Sequence, residues 1–214
     1  MKHLIIIAVA TTVVLGQALA ANLLLTNPDY DSEGTFYRDA GFNTTANAAG
    51  WTITVGSGGL GVANDQGNIG TPNFAYSMGG STWTTAAGSR ATVAAGDAYV
   101  FSYSGRLDNQ TVPGGGTVFV DWFDSSSSLV SSTIDFGSDF QSTSRVAGAP
   151  YGEFTHSITA PINATSAGVR WGTAGVTGGG VIADDFSIAA IPEPSGFALL
   201  FGSLGGLCLR RRRA

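Results

Sequence analysis

The chain has 214 residues, 31 of them glycine and only 12 % charged, with a formal net charge of −5. Between Ala21 and Ile191 five arginines stand against fourteen aspartates and glutamates, which keeps a protein soluble and argues against nucleic acid or anionic lipid as partners. The one cysteine, Cys208, rules out an internal disulfide.

The first element in chain order is an export signal. Lys2 supplies a positive start, and Leu4 to Leu15 is an apolar run broken only by Thr11 and Thr12. Ala18 and Ala20 then place small residues where a signal peptidase accepts them, so residues 1–20 read as a signal peptide cut after Ala20. A buried first helix would need polar residues at helical spacing, and the run lacks them.

Residues 21–190 read as one all-β domain. Leu23 to Leu25, Trp51 to Val55, Tyr99 to Tyr103, Val118 to Phe123, Phe154 to Ile158, Gly168 to Trp171 and Val181 to Ile188 alternate or run apolar at strand length. In the fourth of these, Val118, Val120 and Trp122 fall on one face and Phe119, Asp121 and Phe123 on the other. Turn-forming stretches separate the strands at Gly56 to Gly59, Pro113 to Gly116, Ser125 to Ser128 and Gly178 to Gly180. Strands without crossover helices predict an antiparallel β-sandwich of jelly-roll type.

Residues 191–214 form a tail of three parts. Pro192, Glu193 and Pro194 give a stiff extended segment, because neither proline can continue a helix. Gly196 to Leu209 is uncharged throughout and long enough for roughly 21 Å of helix, against a hydrocarbon core of about 30 Å. Arg210, Arg211, Arg212 and Arg213 do not cross a bilayer and mark a cytoplasmic stop. The order of these parts resembles the PEP-CTERM sorting signal of Gram-negative bacteria. The resemblance implies a C-terminal hydrophobic helix held transiently in the inner membrane, an exosortase-type membrane protease as partner, and final placement at the cell surface or in the extracellular matrix.

The middle carries a second resemblance. Asn22 to Asp31 opens the domain, Ala95 to Tyr103 lies at its centre, and Ile182-Ala183-Asp184-Asp185-Phe186-Ser187-Ile188 closes it. In that order these are similar to the galactose-binding-like jelly rolls among carbohydrate-binding modules. The family often holds a structural calcium ion between the opening and closing acids, which implies Asp31 and Asp184 as ligands here. Asp29 and Tyr30 stand where that family has glycine and phenylalanine.

For a sugar, aromatic faces are the expected platform. Tyr76 and Trp83, in a polar stretch read as loop, are the chosen candidates, whereas Trp51 and Trp122 sit at strand positions suited to a core. Catalysis is not expected. His156, the one histidine beyond the signal peptide, sits mid-strand, and no nucleophile elbow, zinc-protease motif or phosphate loop occurs. For a glycosidase-type carboxylate pair the suspects are Asp121, Asp124 and Glu153. The leading expectation is an exported non-catalytic surface or matrix protein, associated with exopolysaccharide. A lectin-like carbohydrate-binding module and a secreted glycan-active enzyme are the alternatives.

Overall fold

The computed structural model describes residues 21–24, 30, 36–38, 48–56, 60–63, 74–107, 115–133, 135–142, 151–173 and 180–191. The expected signal peptide, the sorting tail from Pro192 onward and Asp31 lie outside the described residues. Among the described residues no helix is long and apolar enough to cross a membrane.

Ala21–Ile191 is one compact unit. Its strands are β1 (Phe36–Arg38), β2 (Trp51–Thr54), β3 (Leu60–Ala63), β4 (Phe74–Met78), β5 (Thr82–Thr85) and β6 (Ala91–Thr92). They continue with β7 (Ala98–Leu107), β8 (Gly116–Phe123), β9 (Leu129–Ser132), β10 (Gly152–Thr159), β11 (Ser166–Thr173) and β12 (Gly180–Ala190). Two 3-10 turns, Ala87–Ser89 and Gly137–Ser142, are the helical elements among the described residues. The first sheet has the order β1-β3-β4-β12-β7-β10, and the second β2-β5-β11-β8-β9 with β6 beside β11. Every pairing is antiparallel. The protein is the expected antiparallel β-sandwich.

Alternation explains the core. On β8, Val118, Val120 and Trp122 point inward and are buried, while Phe119, Asp121 and Phe123 lie on the outer face. On β12 the inward set changes part-way, from Val181 and Ala183 to Phe186 and Ile188. The cause is a bulge: the register against β7 slips between Asp184 and Ser187, and Asp185 takes a left-handed φ of 54°. One extra residue reverses the side each later side chain takes. It also leaves Asp184 and Asp185 together on the outer side.

Aromatic rings fill the space between the sheets. Trp83 and Trp171 are opposite one another in register and stack with ring centroids 6.1 Å apart. Tyr30 stacks on Trp51 at 5.0 Å, and its hydroxyl accepts the Trp171 indole N–H at 3.0 Å. Trp83 donates its indole N–H to the Tyr76 carbonyl at 3.0 Å, tying the second sheet to the first across the core.

The stretch holding Tyr76 and Trp83 is therefore two strands of opposite sheets joined by a tight turn, and not a loop. Gly79 and Gly80, with φ of 57° and 78°, make the turn from one sheet to the other, and a polar threonine strand follows. Trp83 is 0 % exposed, so it cannot stack on a sugar. Tyr76 sits half-buried on the outer face of β4.

Asn22 fastens the start of the domain to its last strand. Its side-chain N–H donates to the Phe186 carbonyl at 2.9 Å, and its oxygen accepts the amides of Leu24 (3.1 Å) and Ile188 (3.2 Å). Leu23 N–H adds a bond to the Ile188 carbonyl at 2.8 Å. At the other end, Ile191 N–H donates to the Ala98 carbonyl at 3.2 Å.

The β8–β9 turn is built on Asp124. One carboxylate oxygen accepts the Ser126 amide, the Ser128 amide and the Ser126 hydroxyl, at 2.9, 2.9 and 2.6 Å. These bonds, the Ser126 hydroxyl first, pull the Asp124 carboxyl below the ordinary value of 3.8. A depressed acid contributes stability above its unfolded value and loses it as pH falls through the folded one. Asp124→Asn should thus lower the melting temperature at neutral pH. The gap to the native chain should shrink as the pH is taken below about 4, in melts across an acid series. A gap constant with pH would contradict this role.

Candidate functional site

Each sheet presents an outer face, and their chemistry differs. On the first sheet the register aligns Gly61, Tyr76, Ile182 and Arg106 in one rank across four strands. Asp184, Ser104 and Glu153 make the next rank. Arg106 is 1 % exposed and Asp184 0 %, so a cation and an anion are buried one diagonal apart on neighbouring strands. The Arg106 guanidinium lies 5.6 Å from the Tyr151 ring centroid. Burial raises the Tyr151 hydroxyl above the phenol range, against the pull of Arg106. The structure thus brings Tyr76 and Asp184 onto one face and leaves Trp83 in the core.

Asp184 is also the calcium candidate. Its Oδ1 accepts the Asp185 amide at 2.9 Å, and its field reaches the Tyr30 hydroxyl. A fully buried carboxylate suits a hard cation as one oxygen ligand. Among the described residues no group of three or more histidine, cysteine or acidic side chains gathers to hold a metal.

The outer face of the second sheet is more open. Phe119, Asp121 and Phe123 lie along β8, and Arg170 of β11 reaches Asp121 with two bonds, from Nε at 2.8 Å and Nη2 at 3.1 Å. Ser132 of β9 donates its hydroxyl to the same carboxylate at 2.6 Å. Arg170 lies over Phe119, 4.2 Å from the ring centroid, and its side chain remains 35 % exposed. Arg90, just after the first 3-10 turn, lies over Phe123 at 3.3 Å. Beside them Thr52 faces Thr84 and Thr54 faces Thr82, with Thr84 next to Arg170. The surface is a run of planar groups and hydroxyls on a rigid sheet.

The three suspected catalytic carboxylates do not converge on one site. Asp121 is engaged by Arg170 and Ser132, Asp124 by its own turn, and Glu153 stands on edge strand β10 of the other sheet. His156 pairs with Asp139 (Nε2 to Oδ2, 2.6 Å), which also accepts the Tyr103 hydroxyl at 2.8 Å. The His156 ring stacks on Phe136, centroids 4.1 Å apart. Burial, then the bond to Asp139, lifts the Tyr103 hydroxyl far above the phenol range. The group fastens the second 3-10 turn to β7 and β10.

Sequence reading missed Arg90, Arg106 and Arg170 as partners of these faces. The signal for the open face was present in β8, where two phenylalanines and an acid occupy the side opposite the core valines. The arginines come from distant elements, and only strand order brings them there.

No protein-family model matches the chain. No curated protein sequence matches it either. Among solved structures, the enzymatically active domain of tailspike protein 4 from bacteriophage CBA120 is similar at a TM-score of 0.54 and 13 % identity. The match covers 79 % of this chain and 21 % of the tailspike domain, so this chain spans about a fifth of that neighbour. Carbohydrate-binding modules are also among the neighbours. TmCBM61 in complex with β-1,4-galactotriose has a TM-score of 0.46 at 10 % identity, covering 80 % of this chain and 100 % of that one. Family 16 carbohydrate-binding module-2 gives 0.41 at 14 %, covering 61 % and 84 %. At such identities the likeness is one of fold.

Proposed function

We propose that this chain is an exported, non-catalytic surface or matrix protein whose second sheet binds a polysaccharide through its outer face. The observation that carries the reading is the row Phe119, Asp121, Phe123 with Arg170 and Arg90 laid over the rings. A sugar ring offers flat C–H patches and a rim of hydroxyls. Planar groups meet the first, and the Arg170–Asp121 pair and the threonine hydroxyls can donate to and accept from the second. The tail's resemblance to PEP-CTERM signals supports export, transient retention in the inner membrane and release by an exosortase-type protease.

The test is retention of the full chain, in detergent, on a panel of immobilised polysaccharides, with reducing-end release measured alongside. Arg170→Leu should weaken retention on the order of tenfold, because it removes a planar group and strands Asp121. Tyr76→Ala, on the opposite sheet, should leave it unchanged. Retention on no polymer would reject the binding reading, and genuine release of reducing ends would reject the non-catalytic one.

Calcium at Asp184 with Asp31 forms part of this proposal, since an ion there would secure the last strand. It would bind the folded chain only and raise stability by linkage, so EDTA should lower the melting temperature. A melt indifferent to both EDTA and added calcium rejects the ion.

A further inference from the structure

β10 ends the first sheet on one side, and it differs from the other edges of the sandwich. β1 and β2 are three and four residues long, and β9 is four with a slip in its register against β8. β10 runs for eight residues, Gly152 to Thr159, in unbroken register with β7. Short length, bulges, prolines and lysines are what normally blunt a sheet edge, and β10 has none of them.

The bonds at its end fix where its backbone groups point. Ala160 N–H donates to the Asp97 carbonyl, and the Ala160 carbonyl accepts the Gly96 N–H, both at 2.9 Å. Ala160 therefore turns both groups toward the chain entering β7. Ala98, opposite Thr159, turns its carbonyl the other way, to Ile191 N–H. Bonded and non-bonded residues alternate in an antiparallel pair, so Gly152, Phe154, His156 and Ile158 bond to β7. The N–H and C=O groups of Glu153, Thr155, Ser157 and Thr159 point away from the sheet. These four residues are exposed, and among the described residues no further strand pairs with them.

We propose that this edge is a dimer interface, at which β10 pairs antiparallel with β10 of a second copy about a two-fold axis. Such an axis requires a surface that complements itself. Centred on His156, the pairing sets Glu153 opposite Thr159 and Thr155 opposite Ser157, on both sides of the axis. That register uses the outward groups of all four residues on each copy and joins two six-stranded sheets into one. It also suits the charge. Glu153 is the strand's one acid and lies near its end, so the two carboxylates sit far apart, each across from a threonine. In-register parallel pairing would instead bring the acids side by side. Because β10 is not part of the second sheet, the outer face of that sheet stays open on both copies. The pairing holds whatever that face binds.

Backbone bonds along one edge give a small interface, so the dimer should be reversible, with a dissociation constant on the order of micromolar. Sedimentation velocity of the full chain in density-matched detergent, from roughly 0.1 to 100 µM, should show monomer giving way to dimer. Thr155→Lys combined with Ser157→Lys sets lysines directly across from lysines and should weaken the dimer by about tenfold or more. Thr155→Pro removes an N–H that only the second copy uses, and should weaken it similarly. Thermal melts in dilute solution, where the native chain is monomeric, show which variants keep the fold, and the folded ones decide. A native chain that stays monomeric over the whole range would overturn the assignment. So would a dimer that a folded lysine or proline variant leaves intact, since its contact would then lie elsewhere, the apolar run Gly196 to Leu209 included.

Discussion

Replacing Phe140 by alanine should lower the melting temperature of the chain by on the order of 10 °C. The ring is 0 % exposed and belongs to the second 3-10 turn, yet it works as part of the sandwich core. It enters where β7 and β8, one from each sheet, both carry glycine: a Cβ on Gly105 or on Gly116 would collide with it. Tyr103 packs on it with ring centroids 5.8 Å apart. Removing a buried phenylalanine ring costs about 3–5 kcal/mol, and in a domain this size each kcal/mol moves the midpoint by roughly 2–4 °C. The same geometry predicts a compensation. Gly116→Ala alone should destabilise by overpacking, on the order of 1–3 kcal/mol, because the ring has nowhere to retreat. Added to Phe140→Ala it should cost much less, since the new methyl then enters vacated space. Thermal melts of both single variants and the double settle this, and additive losses would mean that Gly116 is not there for the ring.

How far the sequence foretold this arrangement depends on the kind of signal. The strands that form the middle of each sheet, β7, β8, β11 and β12, carry runs of valine, isoleucine, tyrosine and tryptophan, and each was legible within a few residues. Among the strands that were missed, β3 and β5 are short and weakly apolar. β3 reads Leu-Gly-Val-Ala and β5 reads Thr-Trp-Thr-Thr, and both exist because a neighbour holds them in register. Pairing of that kind is a tertiary effect, and no local pattern announces it.

The candidate site followed the same division. Trp83 looked like a platform because its neighbours are threonines and glycines, but a lone tryptophan between threonines is also how a strand with one buried face reads. The inward half of that alternation put it against Trp171. For Asp184 the motif reading placed an acid at the right strand, and the bulge explains why it is buried on the outer side. The Arg170–Asp121 pair spans 49 residues of sequence, and Arg90 reaches Phe123 of β8 from the end of the first 3-10 turn. Spacing cannot reveal contacts of that range, whereas strand order makes them inevitable.

Truncating Asp184 to alanine should cost about 3–5 kcal/mol, the usual penalty for leaving a buried charge without its opposite. Arg106 and Asp184 are both almost wholly removed from solvent, on adjacent strands, with Ile182 opposite Arg106 and Ser104 opposite Asp184. That places them one diagonal apart, within reach of a long arginine side chain. Arg106→Met should cost a similar amount for the mirror-image reason. The double variant, Arg106→Met with Asp184→Leu, should lose far less than the sum, because apolar groups of similar volume need no counter-charge. A coupling of 2 kcal/mol or more, on the order expected for groups in contact, would identify the pair as mutually compensating. Running the same cycle with EDTA separates the ion from the arginine. If calcium carries the compensation, EDTA alone should reproduce most of the Asp184→Ala loss, and the two substitutions should then be close to additive. If Arg106 carries it, the coupling survives chelation unchanged. Additivity that persists with and without EDTA would assign the balance of charge on this face to other groups and reject the pair.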